Sequence, residues 1–235
     1  MRHRFHVTPP LAEGATISLQ GDELHHATRV VRVREGEEVE LFDGSGATFS
    51  GVVETATRDE TQVRVMMRVQ SQRESPLALT LAMSIIQLEK FELVLQKATE
   101  LGVQRIIPLV THRIEVRAER YRGKAERWER IIFEAVKQSG RAVVPQLETP
   151  IDFAKAIERE GAIILFDADV EPSTMPATLP SATIFIGPEG GWSEEELSLA
   201  RERKAIFQRL GPRRLRAETA AIVAAAILTA RFGDI

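Results

Sequence analysis

The sequence predicts an α/β protein in two parts, a small β domain over residues 1–72 and a larger α/β domain with a parallel sheet over 76–235. Three observations carry this reading. The first seventy residues hold short apolar runs broken by turn residues, as expected of a small barrel or curled sheet. The polar stretch SQRESP (Ser71–Pro76) then ends in proline and reads as a linker. Beyond it, strand-like and helix-like segments alternate, the pattern of a parallel sheet covered on both faces.

In the first part ATISL, EEVELFD, ATFSGVVET and TQVRVMMRVQ read as strands, separated by EGEE, DGSGA and TRDE. One short helix, DELHHATRVVR, interrupts them with Asp22 as its cap. In the second part LALTLAMSII is a strand and KFELVLQKATELG a helix closed by Gly102. RIIPLV is a strand, and KAERWERIIFEAVKQSG a helix again ended by glycine. The helix DFAKAIERE, the strands AIILFD and TIFIG, the helix SEEELSLARERK, the short strand FQRL and a last helix from about Thr219 complete the chain.

Composition narrows the class. Of 235 residues, 43% are apolar, enough for a core, and 28% are charged, an ordinary surface. The longest apolar run, AAIVAAAILTA (Ala220–Ala230), is too short to span a bilayer and reads as a core helix. The N-terminus MRHRFHVTPP lacks the apolar stretch of a secretion signal, which points to the cytoplasm. The absence of cysteine excludes disulfides, thiolate metal sites and a cysteine nucleophile. No HExxH or comparable ligand spacing is present, so no metal is expected. The net charge is −3, yet Arg113, Arg117, Arg120, Arg122 and Lys124 lie close together. They form either a solvated helix face or a phosphate-tracking patch.

Two loops hold the chemistry. IFIGPEGGWSEEE runs from a strand through a glycine turn into a helix start, as phosphate loops do, but it lacks Gly-Lys-Ser/Thr and G-x-G-x-x-G. Ser193 and Glu196 form a capping box, and Glu194 and Glu195 complete an acidic first turn. Carboxylates therefore occupy the helix end that would draw an anion. What remains is a tight turn with Glu189 in solvent, or a loop whose Gly187, Gly190 and Gly191 let a ligand approach the backbone. The second loop, LGPRRLRAETA (Leu210–Ala220), sets three arginines before the alanine-rich helix. Glu218 or Thr219 can cap that helix, and the pre-organised guanidinium forks suit anionic or planar polar groups. Asp167 and Asp169 in FDADVE read as a solvated loop.

Taken together, IGPEGGWSEEE and LGPRRLRAETA resemble the paired cofactor loops of the SPOUT superfamily of RNA methyltransferases. The likeness is to the bacterial enzymes that methylate N3 of a uridine in 16S ribosomal RNA. MRHRFHV, LQGDELHHATRVVRVREGEEVELFDGSG, QKATELGVQRIIPL and EAVKQSGRAVVP follow that family's blocks in order, and the resemblance covers essentially the whole chain. The chain departs from the family's pattern at Arg214, at QLEK (Gln87–Lys90) and in THRIEVR.

The resemblance implies a PUA-like RNA-binding domain, an α/β domain with a C-terminal trefoil knot, bound S-adenosylmethionine and a homodimer acting on the small ribosomal subunit. Carried over, the cofactor site would comprise Leu165, Phe166, Gly187, Glu189, Gly190, Gly191, Leu210, Gly211, Leu215, Arg216 and Thr219. Arg216, then Arg213, would stabilise the charge that develops on the uracil, and Glu218 would act as a base or orienting group. Arg2, Arg4, His25, His26, Arg29, Arg32, Arg113 and Arg141 would contact RNA. A non-catalytic RNA-binding assembly factor and a ribose 2′-O-methyltransferase are the competing readings.

Overall fold

The structure, a computed structural model, describes residues 2–8, 11–69, 73–114 and 123–235. Arg117, Arg120 and Arg122 lie outside these residues, as does the start of the stretch read as a linker. The chain divides into two compact units, residues 1–74 with 136–144, and 75–135 with 145–235.

The first unit is a five-stranded mixed sheet. Its strands are β1 (His3–His6), β2 (Thr16–Ser18), β3 (Glu38–Phe42), β4 (Thr48–Ala56) and β5 (Thr61–Val69), ordered β1-β3-β4-β5-β2. Alternate residues turn inward, so that Phe5, Val39, Leu41, Phe49, Val53, Val63 and Val65 form its core. The four expected strands are present, and β1 is an addition: four residues are too few for a periodic signal, and β1 is held by parallel pairing with β3. The expected helix is α1 (Gly21–His25), which passes directly into a π-helix, His26–Val31. Its N-cap is Gln20, so Asp22 sits in the first turn, where it suits the dipole, and does not cap.

Glu74 explains why 136–144 joins this unit. Its carboxylate accepts from Arg141 Nε and Nη2 (3.1 and 2.9 Å) and from the backbone N–H of Ala142 and Val143 (2.7 and 3.0 Å). Charge-assisted bonds of this kind hold geometry well. The end of the stretch read as a linker is thus anchored rather than slack.

The second unit is a parallel α/β sheet, the fold class expected. Its strands are β6 (Ala78–Ser84), β7 (Arg105–Val110), β8 (Gln146–Leu147), β9 (Ile151–Asp152), β10 (Ala162–Phe166), β11 (Ser181–Ile186) and β12 (Ile206–Gln208). They run β12-β10-β11-β6-β7-β8, with β9 also on β7. The helices are α2 (Leu88–Glu100), α3 (Ala125–Ser139, whose residues from Val136 count with the first unit), α4 (Phe153–Ala156), α5 (Glu194–Glu202) and α6 (Ala217–Phe232). Residues of both parities are buried in β6, β7, β10 and β11, as a sheet covered on both faces requires.

Local signals set several ends. After α2, Val103 N–H donates to Ala98 O and Gly102 N–H to Thr99 O, a Schellman turn. α4 is a single turn, shorter than DFAKAIERE implied. α6 starts at Ala217 with Arg216 as N-cap, so neither Glu218 nor Thr219 caps it.

Candidate functional site

Strands β10, β11 and β12 are adjacent, parallel and level at their ends. Phe166, the last residue of β10, lies opposite Ile186 of β11 and Gln208 of β12. The loops that follow, starting at Asp167, Gly187 and Arg209, must therefore emerge together at the C-terminal edge. Ligands of open α/β sheets bind at that edge. A cleft of about 560 Å³ lies there, within the usual size range of small-molecule sites.

The first glycine loop is pinned from several directions. Gly191 has φ of +71°, a conformation that glycine adopts without strain. A Cβ at Gly187 would lie 3.0 Å from the Trp192 ring, so only glycine fits there without displacement. Trp192 is buried, donates its indole N–H to Phe166 O (3.0 Å) and packs on Phe153. The capping box is formed: Glu196 N–H donates to Ser193 Oγ (3.2 Å) and Ser193 N–H to Glu196 Oε2 (2.8 Å). Glu196 Oε1 accepts from His112 N–H (2.9 Å), which ties the turn after β7 to the start of α5. The Ser193 hydroxyl and a backbone N–H, with smaller help from His112 and Arg113, hold the Glu195 carboxyl below the usual range. Arg113 Nη1 donates to Gly190 O (3.1 Å), and Lys90 Nζ donates to Glu189 Oε1 (2.6 Å).

The second loop is held less. Arg213, Arg214 and Arg216 are exposed, and Arg214 pairs with Asp169 at the rim. The structure gives Arg213 and Arg216 no ion-pair partner among the described residues. Glu218, in the first turn of α6, is half-buried, and its Oε2 is buried without a hydrogen-bond partner.

Of the residues picked out in the sequence, Phe166, Gly187, Glu189, Gly190, Gly191, Leu210, Gly211, Arg213, Leu215 and Arg216 all line the cleft, and Arg113 joins them. Three stand apart from the lining. Leu165 is fully buried in the core, Thr219 is exposed, and Glu218 is half-buried in the first turn of α6. Apolar lining comes from Phe166, Ile186, Leu197, Leu210, Leu215, Ala217 and Ala220. Sequence reasoning missed Asp167, Asp169 and Arg214 as lining residues and Trp192 as the loop's anchor. The tryptophan directly after the glycines was the available signal. Lys90 sits 99 positions from its partner, and local pattern could not pair them.

In the first unit His25, Arg29 and Arg32 are exposed. His26 is half-buried against Phe5, and Arg2 pairs with Glu38. Arg4 lies over the Phe42 ring and pairs with Glu40 (2.6 Å); burial lowers its pKa against that partner's support. Arg141 is 2% exposed and bound to Glu74. A buried structural ion pair thus occupies the guanidinium that the sequence reading assigns to RNA.

A family described as the RNA methyltransferase domain matches residues 73–229, which include the whole cleft. The chain belongs to this RNA methyltransferase family. An RNA methyltransferase PUA domain matches residues 19–66, within the first unit. The ribosomal RNA small subunit methyltransferase E of Bacillus subtilis is 32% identical over 91% of this chain and 90% of its own. That of Synechocystis is 32% identical over 98% of this chain and 78% of its own. Among solved structures, the corresponding enzyme of Neisseria gonorrhoeae, bound to S-adenosylmethionine, covers 100% of both chains with a TM-score of 0.89 and 30% identity. The fold is of the SPOUT class, with a PUA-like unit ahead of the α/β unit.

Among the described residues no helix is long and apolar enough to cross a membrane, and no cluster of candidate metal ligands occurs.

Proposed function

We propose that this methyltransferase uses S-adenosylmethionine to methylate N3 of a uridine in the 16S ribosomal RNA of the small subunit. The observation that carries the reading is the convergence of both glycine loops on one cleft at the level ends of β10, β11 and β12.

The cleft suits the cofactor on its own chemistry. Its apolar lining takes an adenine ring, and the backbone at exposed Gly190 and half-buried Gly191, both lining the cleft, lets polar edges reach main-chain groups. The Glu189 carboxylate is compatible with a cation and unfavourable for a phosphate. Bound there, the cofactor supplies an electrophilic methyl group.

The chain's own residues then do three things. Uridine N3 carries a proton and is a poor nucleophile until it leaves, and Glu218, two residues after Arg216 in the first turn of α6, acts as the base or as the group that orients the loop's guanidiniums. The negative charge left on N3 and its flanking carbonyls is met by Arg216, with Arg213 beside it. The two loop walls hold N3 in line with the methyl group, and alignment of bound reactants supplies much of the rate. The target base is presented unpaired, because N3 is hidden in a base pair.

RNA is drawn in by Arg2, His25, His26, Arg29 and Arg32 of residues 1–72 and by Arg113 of residues 76–235. The protein works in the cytoplasm as a homodimer. α2 and α6 pack on each other and leave Leu93 and Ile227 exposed, an apolar pair that a second copy would cover.

Calorimetric titration with S-adenosylmethionine, against NADH and ATP, tests the cofactor. Nucleoside analysis of 16S RNA and small-subunit particles after incubation tests the rest. N3-methyluridine is the expected product. A ribose 2′-O-methyl product, which blocks alkaline cleavage, would overturn the acceptor, and a folded protein that binds RNA without methylating it would overturn the enzyme.

A further inference from the structure

The second loop carries more positive charge than the reaction uses. Four arginines fall within the eight residues Arg209–Arg216, with no Asp or Glu among them, and all four line the cleft. Arg216 and Arg213 meet the uracil in the reading above. Arg209 and Arg214 are left over, and both are exposed. Of the four, only Arg214 has an ion-pair partner among the described residues, Asp169. Both side chains of that pair are largely in solvent (74% and 70% exposed).

Asp169 stands on a fixed support. Asp167 N–H donates to Gln208 O (3.1 Å), Ser173 N–H to Phe207 O (2.8 Å) and Gln208 Nε2 to Ser173 O (2.6 Å). The loop after β10 is thus tied to β12 on either side of Asp169. The turn there is closed by Asp167, whose Oδ1 accepts from Asp169 N–H (2.7 Å). The Asp169 carboxylate takes no part in that turn, and its one partner among the described residues is Arg214. A fixed carboxylate therefore holds the end of a long side chain that springs from the less restrained loop.

We propose that Arg214 grips a phosphate flanking the target uridine, that Arg209 supplies a second such contact, and that Asp169 holds Arg214 in the free enzyme and releases it when RNA binds. The inference rests on the reading of the cleft given above. A nucleotide whose base enters the cleft brings a phosphodiester on each side of its ribose, and a guanidinium fork matches two phosphate oxygens. An exposed ion pair is weak, so it gives way to an anion that the rest of the interface holds in place. Contacts of this kind fix the register of the strand and carry no sequence information. Arg214 and Arg209 thus position the nucleotide, while Arg213 and Arg216 stay with its base.

The test is binding and steady-state methylation of 16S RNA in small-subunit particles at several salt concentrations, with S-adenosylmethionine affinity and the thermal melt measured for every variant. Arg214→Ala raises the KM for RNA about tenfold, the scale of one charge-assisted bond, while kcat, cofactor affinity and melt stay near wild type. The slope of log K against log salt becomes shallower by about 0.7, the share of one phosphate contact on a single strand. Arg209→Ala moves KM and slope in the same direction, and Arg214→Lys keeps the slope. Asp169→Asn acts the opposite way: it frees Arg214 and lowers KM about threefold, the scale of an exposed ion pair. In the Arg214→Ala background Asp169→Asn changes KM no further, since its effect passes through Arg214. A gain from Asp169→Asn that persists without Arg214 would show plain repulsion of RNA, and equal losses in both single variants would show a structural latch; either overturns the inference. Lost cofactor affinity in Arg214→Ala would give the guanidinium to the cofactor's carboxylate and overturn it too. Unchanged KM and slope in a folded, active Arg214→Ala protein would sink this inference alone. A folded wild type that neither binds nor methylates 16S RNA would overturn the reading of the site, and this inference with it.

Discussion

The two loops that wall the cleft are built on opposite plans. The loop from Gly187 to Ser193 is tied down by a buried indole, a capping box, a bond from the turn after β7 and two cationic side chains. The loop from Arg209 to Arg216 has one exposed ion pair and a helix start without a side-chain cap. The difference separates two tasks. A pinned wall offers a fixed surface to a cofactor, while loosely held guanidiniums can reorient toward a charge that develops only during reaction. Binding at the first wall and chemistry at the second should therefore fail separately.

The largest effect is expected at the pinned wall. Trp192→Ala removes a buried ring and its bond to Phe166 O, and should cost about 3–5 kcal/mol, read from denaturant unfolding. Cofactor affinity should fall with it. A variant of wild-type stability would show that the loop holds itself without the indole.

Arg216→Ala should act in the opposite way. Its side chain caps nothing, so the melt should stay near wild type while the rate falls about 10²–10³-fold, the usual cost of one charge-stabilising donor. Cofactor affinity, measured by calorimetry, should change far less than the rate. Wild-type turnover would remove Arg216 from the chemistry.

Ser193→Ala breaks half of the capping box and should cost about 1 kcal/mol in a chemical melt. Arg214→Ala loses only an exposed pair with Asp169, worth under about 1 kcal/mol, and should leave the melt unchanged within error. A large loss at Arg214 would show the second loop to be as rigid as the first and would erase the contrast.

Much of this was legible in advance where the signal is local. The capping box needs only Ser193 and Glu196 three residues apart, and both bonds are present. The main strands of the second unit are predominantly apolar, and they and the main helices lie where the alternation placed them. Misreadings also arose locally. Asp22 and Glu218 are good capping residues by type, but the backbone enters each helix elsewhere, at Gln20 and Arg216. Arg141 looks like surface charge until Glu74, 67 positions away, is seen to bury it.

By itself the sequence determined the division into β and α/β parts, both glycine loops and the acidic start of α5, because periodicity and capping act within a turn or two of chain. The tertiary structure alone decided that β10, β11 and β12 end level, which loop residues face one cleft, and that Lys90 meets Glu189. Those outcomes depend on strand order. Parallel crossovers bring distant segments to one edge, and no short window of sequence contains both partners.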